Sequence, residues 1–186
     1  LIFTGGGELF ADNPDIKTAI ALSKKLNELK MFDYSLYLLE KTMQENPSEA
    51  DVIKIQIGLT QFTNGKIDDG EKTINSIAIS SPYYPDSRRV MGIEAIKRTK
   101  LDIGITALES YFKVKLADPP KVEDGKKDFI EALNYLLYSY KEKGQASEAE
   151  KVVKYREALV EKDDTEKSPL GDREGAERLV ERGGRV

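Results

Sequence analysis

Apolar residues recur at intervals of three and four along most of the chain, and polar residues fill the positions between them. This spacing is typical of amphipathic helices, because it gathers the apolar side chains on one face. Eight helices are predicted, at about 15–29, 32–46, 49–63, 67–79, 84–98, 101–117, 126–143 and 146–162, with ends uncertain by about two to four residues. Ser48 and either Asp86 or Ser87 are candidate N-caps.

The helices fall into repeated pairs. Gly58 and Gly92 are 34 residues apart, and Gly70 and Gly104 are also 34 residues apart, so two glycines repeat in the same register. Ser35 lies 35 residues before Gly70, which extends the register upstream. Ala149 lies 45 residues after Gly104, so a fourth unit follows an insertion of about 11 residues near 119–120.

Small residues at the repeated positions have a physical role. Ser23, Gly58 and Gly92 on the first helices let the backbone of the second helix approach closely, and Ser35, Gly70 and Gly104 do the same on the second helices. A glycine inside a helix costs about 1 kcal/mol relative to alanine, so close packing must offset it. Gly65 and Gly144 are predicted turn residues between paired helices, and Pro47 and Pro82 end second helices.

The four units resemble tetratricopeptide repeats, a family of paired helices with small residues at fixed positions. The matching residues are Ala19, Leu22, Ser23, Leu26, Ser35, Leu39 and Pro47 in the first unit; Lys54, Ile57, Gly58, Gln61, Gly70, Ile74 and Pro82 in the second; Arg88, Met91, Gly92, Ala95, Gly104 and Leu108 in the third; and Leu133, Leu136, Leu137, Tyr140, Ala149 and Val153 in the fourth. The resemblance implies an all-α fold, a right-handed superhelical array (α-solenoid) of about four helix-turn-helix hairpins over residues 13–163.

The two ends differ from the repeats. Residues 1–12, with Gly5-Gly6-Gly7, read as a flexible segment. Residues 164–186 form a separate tail in which 172–182 are compatible with a short helix that carries Leu179 and Val180 on one face. Such a helix is either frayed in solvent or docked, and we predict that it docks on the concave face or on the end of the last hairpin.

Composition excludes several classes of function. The net charge of −4 gives no general attraction to nucleic acid, and no stretch is apolar enough to span a membrane. The chain has no cysteine and no histidine, which excludes thiolate metal sites and the commonest general base. Asp68-Asp69 and Asp163-Asp164 are adjacent on helices and point apart, so they do not form a metal or catalytic pair. We therefore expect a protein that is not an enzyme, without cofactor or metal.

The resemblance also implies a binding surface, because first helices line the concave side of such arrays. The residues expected there are Lys24, Asn27, Ile55, Leu59, Phe62, Arg89, Ile93, Lys97, Asn134, Tyr138 and Lys141, together with Ile20 and Ile96. An apolar centre bordered by lysine and arginine suits an apolar segment with acidic flanks. The alternative is that Ile55, Leu59 and Ile93 belong to the core, because a helix in a stacked array buries two faces.

These patterns favour a scaffold or adaptor that binds a protein or peptide in the groove. The alternatives are a structural module that oligomerises end to end, and an accessory domain of a larger protein, which fits the Leu at position 1. The stretch 81–87 resembles the junction between repeats in bacterial envelope members of the family, such as the outer-membrane-assembly lipoprotein and the Tol-associated coordinator. This resemblance favours the periplasm or cell envelope over the cytoplasm, without fixing the compartment.

Overall fold

The computed structural model of the chain describes residues 14–117 and 123–166, and every regular element in these two ranges is a helix. The prediction of an all-α fold is confirmed for this part of the chain. The predicted flexible segment 1–12 lies outside the described residues, as does the predicted docking helix 172–182. The helices are α1 (Pro14–Glu28), α2 (Phe32–Glu45), α3 (Ala50–Thr63), α4 (Ile67–Asn75), α5 (Tyr84–Lys97), α6 (Leu101–Lys115), α7 (Glu123–Glu142) and α8 (Ala146–Glu166).

The predicted boundaries are close, and three details were wrong. Helix α4 ends at Asn75 rather than near 79, and residues 76–83 form a non-helical connection to α5. Ser48 is not an N-cap but lies in the short 3-10 turn Pro47–Glu49. Asp86 and Ser87 lie inside α5, which begins at Tyr84 and takes a proline in its first turn, where proline costs no hydrogen bond.

Three-residue turns close the four hairpins in the same way. In each turn the last residue donates its backbone N–H to the carbonyl five residues earlier, at 2.8–3.0 Å, and the middle residue donates to the carbonyl three residues earlier. This is the Schellman arrangement, which satisfies carbonyls at the end of the first helix. It needs a left-handed backbone at the middle residue, and the four middle residues are Lys30, Gly65, Thr99 and Gly144, with φ of 59°, 77°, 60° and 68°.

The repeated glycines lie where paired helices touch. A methyl group added at Gly92 on α5 would lie 2.7 Å from Cγ of Leu108 and 3.0 Å from the carbonyl oxygen of Gly104 on α6. In the second hairpin, a methyl group at Gly70 would lie 2.6 Å from the Phe62 ring. These distances are below van der Waals contact, so the close approach of the helices depends on the absent side chains.

Buried side chains form two hydrophobic clusters along the array. The first joins α1 to α4 and the beginning of α5, and Ile16, Leu39, Ile53 and Ile74 are fully buried in it. The second joins the end of α5 to α8 around Leu108, Phe129 and Leu133. Helix α5 contributes Val90 and Met91 to the first cluster and Ile93 and Ile96 to the second. It therefore links the two halves.

Contacts between helices run in chain order. Within the described residues, each second helix packs on the first helix of the next hairpin, and successive first helices α1, α3, α5 and α7 also touch. The backbones of successive second helices do not come close to each other in this part of the chain. The first helices are therefore close together on one side of the molecule, and the second helices are spread on the other. None of the described helices combines the length and the apolar character needed to cross a membrane.

Candidate functional site

The side on which the first helices meet holds the residues predicted to bind a partner. Ile55, Phe62 and Ile93 are 0%, 6% and 5% exposed, so their side chains belong to the hydrophobic core. Ile20 and Ile96 are buried in the same way. Ile55 and Ile93 are therefore core residues, which was the alternative interpretation of the sequence. The apolar side chains expected at the centre of the groove pack between neighbouring helices instead.

Leu59 and Tyr138 remain as apolar contributors to this surface. Leu59 is half-buried against the first cluster, and the Tyr138 side chain is 50% exposed. Lys24, Lys97 and Lys141 are exposed. The surface formed by the first helices is thus more polar than the sequence pattern indicates, and Tyr138 on α7 is its one exposed aromatic residue among those predicted.

The two asparagines of the predicted groove make contacts within the array. Asn27 on α1 donates from Nδ2 to the Thr60 hydroxyl on α3 at 2.9 Å, which ties the first two hairpins together. Asn134 on α7 accepts a 3.0 Å hydrogen bond from Arg156 on α8. Both side chains therefore have a structural use.

Arg89 is buried rather than presented to solvent. Its side chain forms a 2.9 Å ion pair with Asp128, which lies near the start of α7. Burial raises the pKa of the Asp128 carboxyl, the Arg89 charge opposes that shift, and Lys24 of the first hairpin opposes it as well. Arg89 therefore serves the packing of α5 against α7 and is not available to a partner.

Lys97 also has an acidic neighbour. It donates to Glu94 at 2.9 Å, and Arg98 donates to the other oxygen of the same carboxylate at 3.1 Å. Burial tends to lower the pKa of Lys97, but the hydrogen bond and charge of Glu94 outweigh it and the pKa is raised. The basic border predicted for the groove is therefore partly neutralised by carboxylates of the chain itself.

An open cavity of about 400 Å³ lies on the other side of the molecule, between the second helices α6 and α8. Apolar side chains of α7 form its floor, and α6 and α8 form its walls. The lining residues are Glu109, Phe112, Lys113, Leu116, Leu133, Leu136, Tyr140, Lys151, Val152 and Tyr155. Its size suits one or two large side chains of a ligand.

Polar groups at the cavity are arranged unevenly. The Tyr140 hydroxyl donates to Glu109 at 2.7 Å, and burial together with this hydrogen bond raises the pKa of Tyr140. One oxygen of the exposed Glu109 carboxylate is thus engaged by Tyr140. Lys113 and Lys151 stand exposed at the rim, and Lys151 has only a 3.8 Å exposed ion pair with Glu148. Such pairs contribute little, so the rim over the apolar floor carries two lysines available to a ligand, beside the Glu109 carboxylate.

The sequence pattern did not predict this cavity. Its floor residues Leu133, Leu136 and Tyr140 occupy repeat positions that pattern analysis assigns to the core, and all three are indeed buried at 3–6% exposure. One available signal was Val152 and Tyr155 on α8, which are apolar on the side that faces α6. Whether α6 and α8 close over α7 depends on the spacing of whole helices, which local periodicity does not report.

Among the side chains that the structure describes, no group of three or more acidic residues converges as a metal site would require. Comparison of the chain with protein-family models, with curated proteins and with solved structures finds no match. The residues and their geometry are therefore the grounds on which a function is proposed.

Proposed function

We propose that this protein is an interaction scaffold of the tetratricopeptide type, and that it binds an apolar, acid-flanked segment of a partner protein in the cavity between α6 and α8. The observation that carries the proposal is an open apolar cavity of about 400 Å³ with Lys113 and Lys151 at its rim. Apolar side chains of the ligand enter the cavity and lose contact with water, which provides the affinity. Acidic residues beside them meet the two lysines, which sets the orientation.

The repeat architecture supports the same class of function. Four hairpins close with the same hydrogen bonds, their first helices touch in succession, and their second helices stand apart. A right-handed superhelix is the arrangement that we infer from this order and from the family resemblance. Residues along a repeat array are held by neighbouring helices, so a binding surface on it is preorganised.

The surface of the first helices is a second candidate for the same function. The first helices carry the exposed Lys24, Lys97, Lys141 and Tyr138 and the partly buried Leu59, and this set retains the predicted preference for a segment with acidic flanks. The bacterial cell envelope stays a prediction that rests on residues 81–87 alone.

A peptide-display selection against the purified chain tests the proposal and separates the two surfaces. Selected peptides are expected to contain large apolar residues beside aspartate or glutamate. Leu116→Asp at the cavity rim is expected to weaken their binding at least tenfold, about 1.4 kcal/mol. Leu116 is 43% exposed, so the variant keeps its fold.

Two matched variants complete the experiment. Tyr138→Asp changes the first-helix surface, and Ile79→Asp changes an 80% exposed side chain in the α4–α5 connection. Ile79→Asp is expected to bind as the unmodified chain does. Loss of binding in Tyr138→Asp with none in Leu116→Asp would move the site to the first helices. Peptides that bind all three variants equally would contradict both locations.

A further inference from the structure

The N-terminal end of the array carries a row of exposed apolar side chains. Leu22 on α1 and Leu29 in the turn after it are 49% and 62% exposed, and Tyr34 and Tyr37 on α2 are 66% and 68% exposed. These four residues are called the N-terminal face below.

The repeat register explains why this face is unusual. The positions equivalent to Leu22 in the other three hairpins are Ile57, Met91 and Leu136, and all are 4–5% exposed. Lys25 corresponds in the same way to Thr60, Glu94 and Ser139, of which Thr60 and Ser139 are fully buried and Glu94 is partly buried. A position that is core in three hairpins is therefore at the surface in the first.

In the other hairpins these positions are covered by the second helix of the preceding hairpin. Helix α2 packs on α3, α4 on α5 and α6 on α7. Leu136, Tyr140 and Lys151, which are equivalent to Leu22, Leu26 and Tyr37, all line the cavity beside α6. Leu22, Leu26 and Tyr37 therefore lie on one side of the first hairpin, the side on which a preceding second helix packs in the fourth hairpin.

The last described hairpin presents a different surface. Ile105 and Phe112 on α6 face α7 in the second cluster, and the equivalent residues on α8 are Glu150 and Glu157, both exposed. Stacking of copies head to tail would place these carboxylates, of which Glu150 pairs with Lys154 at 2.8 Å, against Leu22 and away from water. The cost of removing such charged groups from water opposes that arrangement.

We infer that the N-terminal face is a two-fold interface, at which α1 and α2 of one copy pack against α1 and α2 of a second copy. The face is self-complementary, because its apolar row meets the same row in the partner copy. Lys25 and Glu28 at its edge pair with each other at 2.7 Å, so the face brings little net charge against itself. A two-fold contact is closed, so association stops at the dimer.

Sedimentation equilibrium of the full chain tests this inference. We expect a monomer–dimer equilibrium within the range of about 1–100 µM. Leu22→Glu and Leu29→Glu are each expected to raise the dimer dissociation constant at least about tenfold, because they bury a carboxylate in an apolar interface. Both side chains are exposed in the single chain, so circular dichroism is expected to be unchanged.

Ile79→Glu is the matched control, since it adds the same charge at an exposed apolar residue remote from α1 and α2. It is expected to dimerise like the unmodified chain. A chain that stays monomeric to about 100 µM would overturn the interface. Equal dimerisation of Leu22→Glu would do the same, as would growth beyond the dimer, which signals head-to-tail stacking. These readouts are independent of peptide binding, so this inference and the proposed function fail separately.

Discussion

At the scale of single residues, the four hairpin turns require the same left-handed backbone conformation, and different residue types adopt it. Lys30 and Thr99 adopt the left-handed conformation that glycine provides at positions 65 and 144. This conformation crowds Cβ against the following carbonyl oxygen, and β-branched threonine is among the least suited residues to adopt it. The Schellman hydrogen bonds and the packing of the helices therefore hold Thr99 in place at some cost in stability.

Replacing Thr99 with glycine is expected to stabilise the chain by about 0.5–1 kcal/mol. The left-handed strain of about 1–2 kcal/mol disappears, and the greater freedom of glycine in the unfolded state offsets part of the gain. The Thr99 side chain is exposed, and its hydroxyl donates only to the carbonyl of Arg98, so the substitution removes little packing. Chemical denaturation of the two proteins measures the difference.

The reverse substitution, Gly65→Ala, isolates the backbone effect. A methyl group at Gly65 would meet no atom within 4 Å, yet φ there is 77°. The variant is expected to be destabilised by about 1 kcal/mol. Stability unchanged in both variants would contradict the account of these turns.

At the scale of helices, the distance between partners in a hairpin is set by paired small residues. Gly92 of α5 and Gly104 of α6 face each other, and Leu108 and Ile96 fill the space on either side. The equivalent pair in the first hairpin is serine, and Ser35 donates to the backbone carbonyl of Ser23 at 3.2 Å. A short hydroxyl thus serves the same close approach where it finds an acceptor.

Gly92→Ala is expected to destabilise the chain by about 1–3 kcal/mol, even though alanine favours helix formation. Its methyl group would approach the Gly104 backbone carbonyl to 3.0 Å, so α5 and α6 must separate. Gly58→Ala is the matched comparison, because there the close contacts are side-chain atoms of Ile74 and the nearest backbone oxygen is 3.5 Å away. Thermal unfolding is expected to rank Gly92→Ala below Gly58→Ala, and the reverse order would contradict this explanation.

At the scale of the molecule, stability is distributed over two hydrophobic clusters joined through α5. The second cluster contains an aromatic group in which Phe112 and Phe129 meet edge to face at 5.2 Å, and Tyr111 packs on Phe112 at 5.0 Å. Because contacts are made between neighbouring hairpins, damage in one cluster is expected to reach the other mainly through α5 and through Ala107 of α6, which belongs to the first cluster.

Phe129→Ala is expected to cost about 3–5 kcal/mol in the second cluster. Hydrogen exchange should then accelerate in α6, α7 and α8, while the amides of α1 to α3 keep most of their protection. Ile53→Ala, which empties space in the first cluster, should give the opposite distribution. Uniform loss of protection in both variants would mean that the array unfolds as one cooperative unit.

Most of the helices and turns were predictable from local information. Apolar spacing located all eight helices to within a few residues at most ends, and the recurrence of small residues at steps of 34 and 35 paired them into hairpins. Gly65 and Gly144 were recognisable as turn residues. Lys30 and Thr99, at equivalent positions, carry no such signal in their residue type, and only the repeat register identifies them.

The surface was harder to predict, because periodicity defines an apolar face without telling what covers it. Ile55, Phe62 and Ile93 lie on the predicted groove face, yet packing against other helices buries them, and the Phe62 ring lies against Gly70 of α4. Leu22 has the same pattern as Ile57, Met91 and Leu136, yet it is exposed because no described helix precedes α1.

The order of polar and apolar residues was thus enough to predict the helices, their pairing and the small residues at helix contacts. These features depend on interactions within about 35 residues of the chain. Exposure, the Arg89–Asp128 ion pair and the cavity between α6 and α8 arise when separate hairpins are brought together in space. Burial of a residue depends on all the helices around it, and those helices come from distant parts of the chain. For this reason the assignment of core and binding surface required the tertiary structure.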